Sequence, residues 1–387
     1  MSDSKLPLDG VKIIDFSQVM LGPCATQMLA DFGADVIKIE RPKSGDLSRN
    51  VFGGRGEVSQ NNPVFCSLNR NKRSITLNTR TDAAKNVIYE LIKTADVVVN
   101  NFRPGVMTRM GFGYEKLKEI NPGIIFAAGT GFGSKGPYSH KGGQDVLAQA
   151  MSGVMEQRAN DSVPRSIYPT ALCDYAAGMH LVQGVLAAII ARYKSGAGQK
   201  VEVSLYNSMI AMQMQEAANL MATKATLNWA ALPLCGVFDT TDGAVVVVGA
   251  FKENPLQDIC IAIKHAEDLS IKYPMLEDQV EAKEFLQDEF RCHFSKMSTT
   301  EAINNMEKQD LLCAPVKSLE EALKDEQTTV NQMIATINHP IHGSIQVISS
   351  PITMSDSPFT IRHTPPSLGQ HTDEILAELG LSLNDTQ

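Results

Sequence analysis

Asp174 is the residue whose setting most invites chemistry. It stands in Ala171-Leu-Cys-Asp-Tyr-Ala-Ala-Gly-Met-His180, at the head of the apolar stretch running from Leu181 to Ile190. A carboxylate against apolar surface is costly unless something there satisfies or uses it. Two readings stay open: a helix N-cap, or a nucleophile. They are compatible, because N–H donors and the helix dipole hold a carboxylate ionised near or below its reference pKa of ~3.9. Cys173 beside it lacks the local base a reactive thiol needs and reads as a buried structural cysteine. Basic residues recur where strands are expected to end, at Arg41, Arg70, Lys72, Arg73, Arg80, Arg103 and Arg109. Ligands of open α/β sheets bind beyond the carboxyl ends of strands, so these cations suit a phosphate-bearing ligand, set against a reading as solvated surface charge. Gly131-Phe-Gly-Ser-Lys-Gly136 matches G-x-G-x-x-G. Pro137 and the polar run to Gly143 stop a helix from opening on the last glycine, so a dinucleotide cofactor is not expected.

These residues need a frame. Val11–Asp15, Ala34–Ile39, Ala95–Asn100 and Gly123–Ala128 are β-branched runs separated by helical patterns at Cys24–Phe32, Asp82–Thr94 and Asp145–Ser152. Such alternation predicts βαβ units, a parallel sheet and a doubly wound α/β layer structure. After Asp174 an apolar helix is expected to about Tyr193, then a turn at Ser195–Gly198, a strand at Lys200–Leu205 and a helix over Ser208–Ala225. The methionines of that last helix hint at a large internal contact. Cys235–Gly249 reads as a hairpin turning at Asp242-Gly243, whose positive φ angles suit such a turn, and a second domain is expected to begin there. Charged helices follow at Glu281–Phe294 and Thr299–Lys308, then strands at Ile334–Asn338 and Ser344–Ile348.

Composition narrows the classes. The 387 residues exceed the length at which one core usually suffices, so two domains are expected. A net charge of -8 disfavours nucleic acid as a partner. Seven cysteines without paired spacing, and no local His/Cys cluster, predict neither a disulfide framework nor a metal site. The polar N-terminus lacks a signal-peptide core, and residues 181 to 191 are too short to span a membrane; a cytoplasmic protein is expected.

An ordered set of motifs resembles the class III coenzyme A transferases. It comprises Asp15-Phe16 with Gly22-Pro23, Gly33-Ala-Asp-Val-Ile-Lys-Ile-Glu-Arg-Pro42, Gly45-Asp46, Leu68-Asn-Arg-Asn-Lys-Arg-Ser-Ile-Thr-Leu77, Asn101-Phe-Arg-Pro-Gly105, Met110-Gly-Phe112, Gly131-Phe-Gly-Ser-Lys-Gly-Pro137, Asp145, Gln149-Ala-Met-Ser-Gly153 and Asp174. The likeness extends to Leu368-Gly-Gln-His371 and so covers essentially the whole chain. It implies an α/β fold: a Rossmann-like large domain from both chain ends (1–215 and 326–387), a linker at 216–232, a smaller α+β domain at 233–325, and an interlocked homodimer. It implies Asp174 as the catalytic aspartate, and Met20, Arg41, Leu77, Arg80, Asn101, Phe102, Arg103, Arg109 and Gln144 as coenzyme A contacts. Coenzyme A enters as a thioester substrate, with a small carboxylic acid as the second substrate and no further cofactor.

The family also contains α-methylacyl-CoA racemases, which resemble it with a histidine in a Gly-His-Asp stretch. This chain has Gly143-Gln-Asp145, and glutamine cannot exchange a proton, so transfer is favoured over racemisation. His140 lies four residues earlier. The compact Leu232-Pro-Leu-Cys-Gly-Val-Phe238 stands where formyl-CoA transferase carries a polyglycine loop, which disfavours formate and oxalate as substrates and leaves small diacids such as succinate as the expectation. A catalytically silent CoA-binding protein is the remaining alternative.

Overall fold

The computed structural model describes residues 6–50, 62–339 and 343–382. Six parallel strands form one sheet: β1 (Lys12–Asp15), β2 (Asp35–Glu40), β3 (Lys72–Thr76), β4 (Val97–Asn100), β5 (Ile125–Thr130) and β6 (Lys200–Ser204), in the spatial order β3-β2-β1-β4-β5-β6. The order reverses between β1 and β4. In such sheets that reversal opens a crevice at the carboxyl ends of the strands.

Helices cover both faces because their apolar residues recur at helical spacing. Asp82–Thr94 is typical: the Thr81 hydroxyl caps its start by accepting the Ala84 N–H, and Ala84, Val87, Ile88, Leu91 and Ile92 turn inward. Its acidic first turn and basic last turn suit the helix dipole. On the other face the helix Leu21–Asp31 packs on the 24-residue helix Leu172–Ser195. Gly178 makes that approach possible, since a Cβ there would sit 3.0 Å from the Leu21 carbonyl oxygen. By length and composition alone Leu172–Ser195 could cross a membrane, contrary to the shorter span read from the sequence. Here Cys173, Ala177, Leu181, Val185 and Ile189 bury it in the sheet-facing core with Val97, Ile125 and Ala127.

The described chain divides into two compact units, 1–154 with 167–213 and 329–387, and 155–166 with 214–328. Residues 216–232, expected as a linker, therefore lie within the second unit and include part of the helix Met214–Thr223. The single helix expected over Ser208–Ala225 is two, Leu205–Met212 and Met214–Thr223. Its methionines do not form the internal contact expected of them: Met209 is buried, whereas Met212, Met214 and Met221 are exposed.

The second unit carries an antiparallel sheet of β7 (Cys235–Asp239), β8 (Ala244–Val248) and β9 (Leu312–Pro315), with Phe238, Phe290 and Phe294 in its core. The β7–β8 connection is four residues, Thr240–Gly243, and neither Asp242 nor Gly243 adopts a positive φ. Asp242 shapes it instead through its side chain, which accepts the Thr299 N–H at 2.7 Å. In the first unit β10 (Ile334–His339) and β11 (Gly343–Ile348) pair antiparallel.

Candidate active site

Every strand of the parallel sheet delivers residues to two adjoining cavities at its carboxyl end. The larger, about 1070 Å³, is lined from β1 by Phe16 to Gln18, from β2 by Arg41, from β3 by Leu77 and Arg80, and from β4 by Phe102 and Arg109. The smaller, about 370 Å³, takes Met20, Asn101, Arg103, Gly131, Gln144, Asp174 and Leu205. Gln18, Arg41 and Phe102 line both. All ten site residues expected from the sequence thus face one continuous recess.

The β1 loop is held by a buried ion network. Asp15 accepts the Ser17 N–H at 2.8 Å, the Ser17 hydroxyl and the Thr26 hydroxyl at 2.7 Å, with Lys72 at 3.3 Å. Lys38 pairs with Asp46 at 2.8 Å and donates to the Ser17 carbonyl at 2.8 Å. Burial pushes the Asp15 carboxyl up, but Lys38, Lys72 and the hydroxyls outweigh it and leave it below the usual range. These contacts fix Gln18 to Met20, where Val19 sits at φ 65°, a left-handed conformation strained for a β-branched residue. Asp46 restrains it by accepting the Val19 N–H at 3.0 Å. Asn101 clamps the same loop, accepting the Gln18 N–H at 2.9 Å and donating to its carbonyl at 2.6 Å. Its side-chain amide therefore positions the loop while it lines the cavity.

Asp174 is the third residue of the helix Leu172–Ser195, not its N-cap. Its own backbone N–H is capped by Asp145, whose Oδ2 accepts it at 2.9 Å. Asp145 is buried and is itself held by Gln149, which donates to Oδ1 at 2.6 Å and accepts the Tyr168 N–H at 3.1 Å. Burial and the neighbouring Asp145 charge push the Asp174 carboxyl up to about 6, against the Leu21 N–H, which lowers it. The expectation of a pKa near or below the reference value is thereby corrected. A carboxylate this far along the first turn gains from the dipole, but lost hydration and a like charge weigh more. Burial and the two aspartates push the Cys173 thiol to about 12, so it is not a nucleophile at neutral pH.

The cations divide into two sets. Arg70 pairs with Asp31 at 2.7 Å, Lys72 with Asp15, and Arg73 with Asp35 at 2.6 Å, Glu374 at 2.8 Å and Glu378 at 2.6 Å. The sequence placed these three at a strand end as ligand candidates; Lys72 and Arg73 instead begin β3, and all three are used internally. Arg41, Arg80, Arg103 and Arg109 are exposed in the recess, and none makes an ion pair among the described residues. Guanidinium groups without an internal acid are the form in which a site receives phosphates.

Gln144, expected as a ligand contact, lines the smaller cavity and also caps the helix Asp145–Met151, accepting the Val146 N–H at 3.1 Å. The G-x-G-x-x-G segment opens no helix, as expected; the next begins at Asp145. Gly131 and Gly143 instead press together, and a Cβ on Gly131 would lie 2.3 Å from the Gly143 Cα.

Sequence reasoning missed Gln18, Val19 and Gln149 as supports of the site, and gave Asp145 no role. The i, i+4 spacing of Asp145 and Gln149 on one helix was the signal available; the other contacts reach across 19 to 83 residues.

A sheet of this order with a buried acid and unpaired arginines at its crevice defines a class, and the comparisons give it its family. Residues 8–372 match the model of CoA-transferase family III. The chain is 33% identical over 383 residues to succinyl-CoA:glutarate CoA-transferase of Mus musculus, covering 97% of this chain and 87% of that protein. It is 32% identical over 401 residues to formyl-CoA:oxalate CoA-transferase of Streptomyces coelicolor, covering 97% and 95%. A CAIB/BAIF family protein from Brucella suis superposes with a TM-score of 0.85 at 27% identity, over 97% of this chain and 100% of that one. The protein belongs to CoA-transferase family III.

Proposed function

We propose that the protein moves coenzyme A from a donor acyl-CoA to a carboxylic acid, with Asp174 as the nucleophile. One observation carries this reading: a half-buried carboxylate and four arginines without internal partners line adjoining cavities at the sheet's crevice. The larger cavity suits the nucleotide end, whose 3′-phosphate and pyrophosphate favour Arg41, Arg80 and Arg109. Met20, Leu77, Asn101 and Phe102 offer contacts along the ligand, and the smaller cavity takes the thioester to Asp174.

An Asp174 oxygen attacks the donor thioester carbonyl, the C–S bond breaks, and CoA thiolate leaves a mixed aspartyl anhydride. The thiolate then attacks the aspartyl carbonyl, releasing the donor acid and forming an aspartyl-CoA thioester. The acceptor carboxylate attacks that thioester and expels thiolate, which takes the acceptor's acyl group and restores Asp174. Covalent catalysis splits the exchange into two halves, because Asp174 holds first the acyl group and then the CoA, so the donor acid leaves before the acceptor attacks. The Leu21 N–H that already meets the carboxylate is a fitting donor for the oxyanions formed along the way. These acyl transfers need neither metal nor redox cofactor.

Glutarate and oxalate, in the names of the two relatives, are both dicarboxylates. Arg103 and Lys141 line the smaller cavity with Asp174 and suit a second acceptor carboxylate. Gln144 in place of a second acid–base group argues against racemisation. The working unit is proposed to be a homodimer, to be checked by light scattering of the purified protein.

The decisive experiment incubates the enzyme with succinyl-CoA or acetyl-CoA and a panel of acids, quenching with hydroxylamine. A hydroxamate on the Asp174 peptide, and no turnover in Asp174→Ala, are expected. Transfer by the alanine variant would remove the nucleophile assignment. Solvent deuterium entering a 2-methylacyl-CoA without any acceptor would favour the racemase reading instead.

A further inference from the structure

His265, Glu289 and His293 meet in the second unit, each offering one ligand atom within 4.8 Å of the others. Glu289 and His293 are one turn apart on the helix Lys283–Phe294 and so share a face. His265 reaches them from the connection after the helix Pro255–Ala262. That connection is set by Lys264 at φ 56° and by the His265 N–H donating to the Cys260 carbonyl at 2.8 Å. We propose that these three side chains form a binding site for a divalent metal ion of the zinc type.

The surrounding hydrogen bonds aim the rings. His293 Nδ1 lies 3.1 Å from the Ile263 carbonyl oxygen. His265 Nδ1 lies 2.7 Å from the Glu267 carbonyl oxygen, with the Glu267 N–H farther off at 3.1 Å. A ring nitrogen held by a carbonyl carries the proton, which leaves the opposite nitrogen, Nε2, as the metal-binding atom. His265 Nε2 then faces Glu289 Oε2 at 3.2 Å, lone pair towards carboxylate, an arrangement that a cation between them relieves. The two imidazole centroids are 5.1 Å apart.

Tetrahedral zinc with bonds of ~2.0–2.1 Å needs ligand atoms about 3.4 Å apart. The His265–Glu289 pair already meets that spacing, and the Glu289 side chain, 35% exposed, is free to follow as the two imidazoles, whose ligand atoms lie within 4.8 Å, close on an ion. Two imidazoles with one carboxylate select a borderline ion over calcium or magnesium, which take oxygen ligands. The ion would tie the Lys283–Phe294 helix to the 263–267 connection and stabilise the second unit.

The test uses the full chain, treated with chelator and then titrated with zinc and with cobalt(II). One equivalent of zinc per chain and a rise in melting temperature are expected, with binding about 100-fold or more weaker in His293→Ala and His265→Ala, at least the loss seen when an outer-shell partner is removed. Glu289→Gln should weaken it less. Circular dichroism of each variant without metal establishes that it folds. If an alanine variant does not fold, the cobalt spectrum of the unaltered chain decides: tetrahedral nitrogen and oxygen coordination supports the site. Thiolate charge transfer, which would place the ion on a cysteine instead, overturns the proposal. So does a melting temperature indifferent to zinc, or an equal zinc response in the His265→Ala/His293→Ala double variant.

Discussion

Asp145 Oδ2 accepts the backbone N–H of Asp174 at 2.9 Å, so one acid caps the helix that carries the other. The contact holds Asp174 at the cavity and sets a like charge against it, which with burial raises its carboxyl to about 6. At neutral pH Asp174 is still mostly ionised, and it is more basic than an ordinary carboxylate.

The rate with donor should therefore follow that ionisation. kcat/KM is expected to rise through about pH 6 and level off above it, as the free enzyme's essential base loses its proton. Asp145→Asn keeps an oxygen to accept the Asp174 N–H but removes the charge, so the acid limb should move to lower pH. Burial is the larger cause, and the limb should stop short of 3.8. A limb that does not move would show that the Asp145 charge is not felt.

Asp174→Asn is expected to be inactive yet more stable. The folded pKa lies above the unfolded value of 3.8, so the folded state binds more protons between the two, and stability falls as pH rises through that window. Above it the ionised group costs on the order of 3 kcal/mol, at ~1.4 kcal/mol per pKa unit between 3.8 and about 6. The melting temperature of the asparagine variant should exceed that of the unaltered chain at pH 7 and approach it near pH 4. Equal melting at pH 7 would refute the strain.

Arginines of the two sets should fail differently. Arg41→Gln, Arg80→Gln or Arg109→Gln should raise KM for acyl-CoA by ~10-fold or more, the worth of one charge-assisted hydrogen bond, with little change in melting. A 3′-dephospho-CoA donor should erase the effect for whichever arginine meets that phosphate. Arg73→Gln should lower the melting temperature and leave KM nearly unchanged, since Asp35, Glu374 and Glu378 lose their partner.

The C-terminal segment should loosen in acid. His371 Nδ1 accepts the Ser74 N–H at 3.1 Å, a bond available only to the neutral ring at that nitrogen. Burial, with Arg362 and Arg73 acting on His363 and Arg73 on His371, holds both histidines below 6.5. The unfolded chain thus binds more protons just below 6.5, and stability should fall as pH drops through that point. Hydrogen exchange at Ser74 followed from pH 7.5 to 5.5 checks this; unchanged protection would count against it.

β-branched runs made β1, β2, β4 and β5 legible, because buried parallel strands are rich in apolar residues, whereas the edge strand β6 was legible from its alternation of polar and apolar residues. Lys72-Arg-Ser-Ile-Thr76 is a strand of the same sheet, but in the sequence its charges stand only as basic residues at an expected strand end. Its charges are buried against Asp15, Asp35 and Glu374, acids brought there by the fold. The site residues came from motif likeness, and the crevice gathers them. The basicity of Asp174 was not legible, since its cause lies 29 residues away at Asp145. The His265 group escaped notice for the same reason: only two of its members share a helical turn.

The contact between Gly131 and Gly143 is backbone against backbone, with no side chain taking part. Phe132, Ser139 and Lys141, which line the smaller cavity, lie on the segment between those two fixed points. Their identities can change without disturbing the anchorage, so the lining of the smaller cavity can be altered on this stretch while Asp174 and its capping acid stay in place.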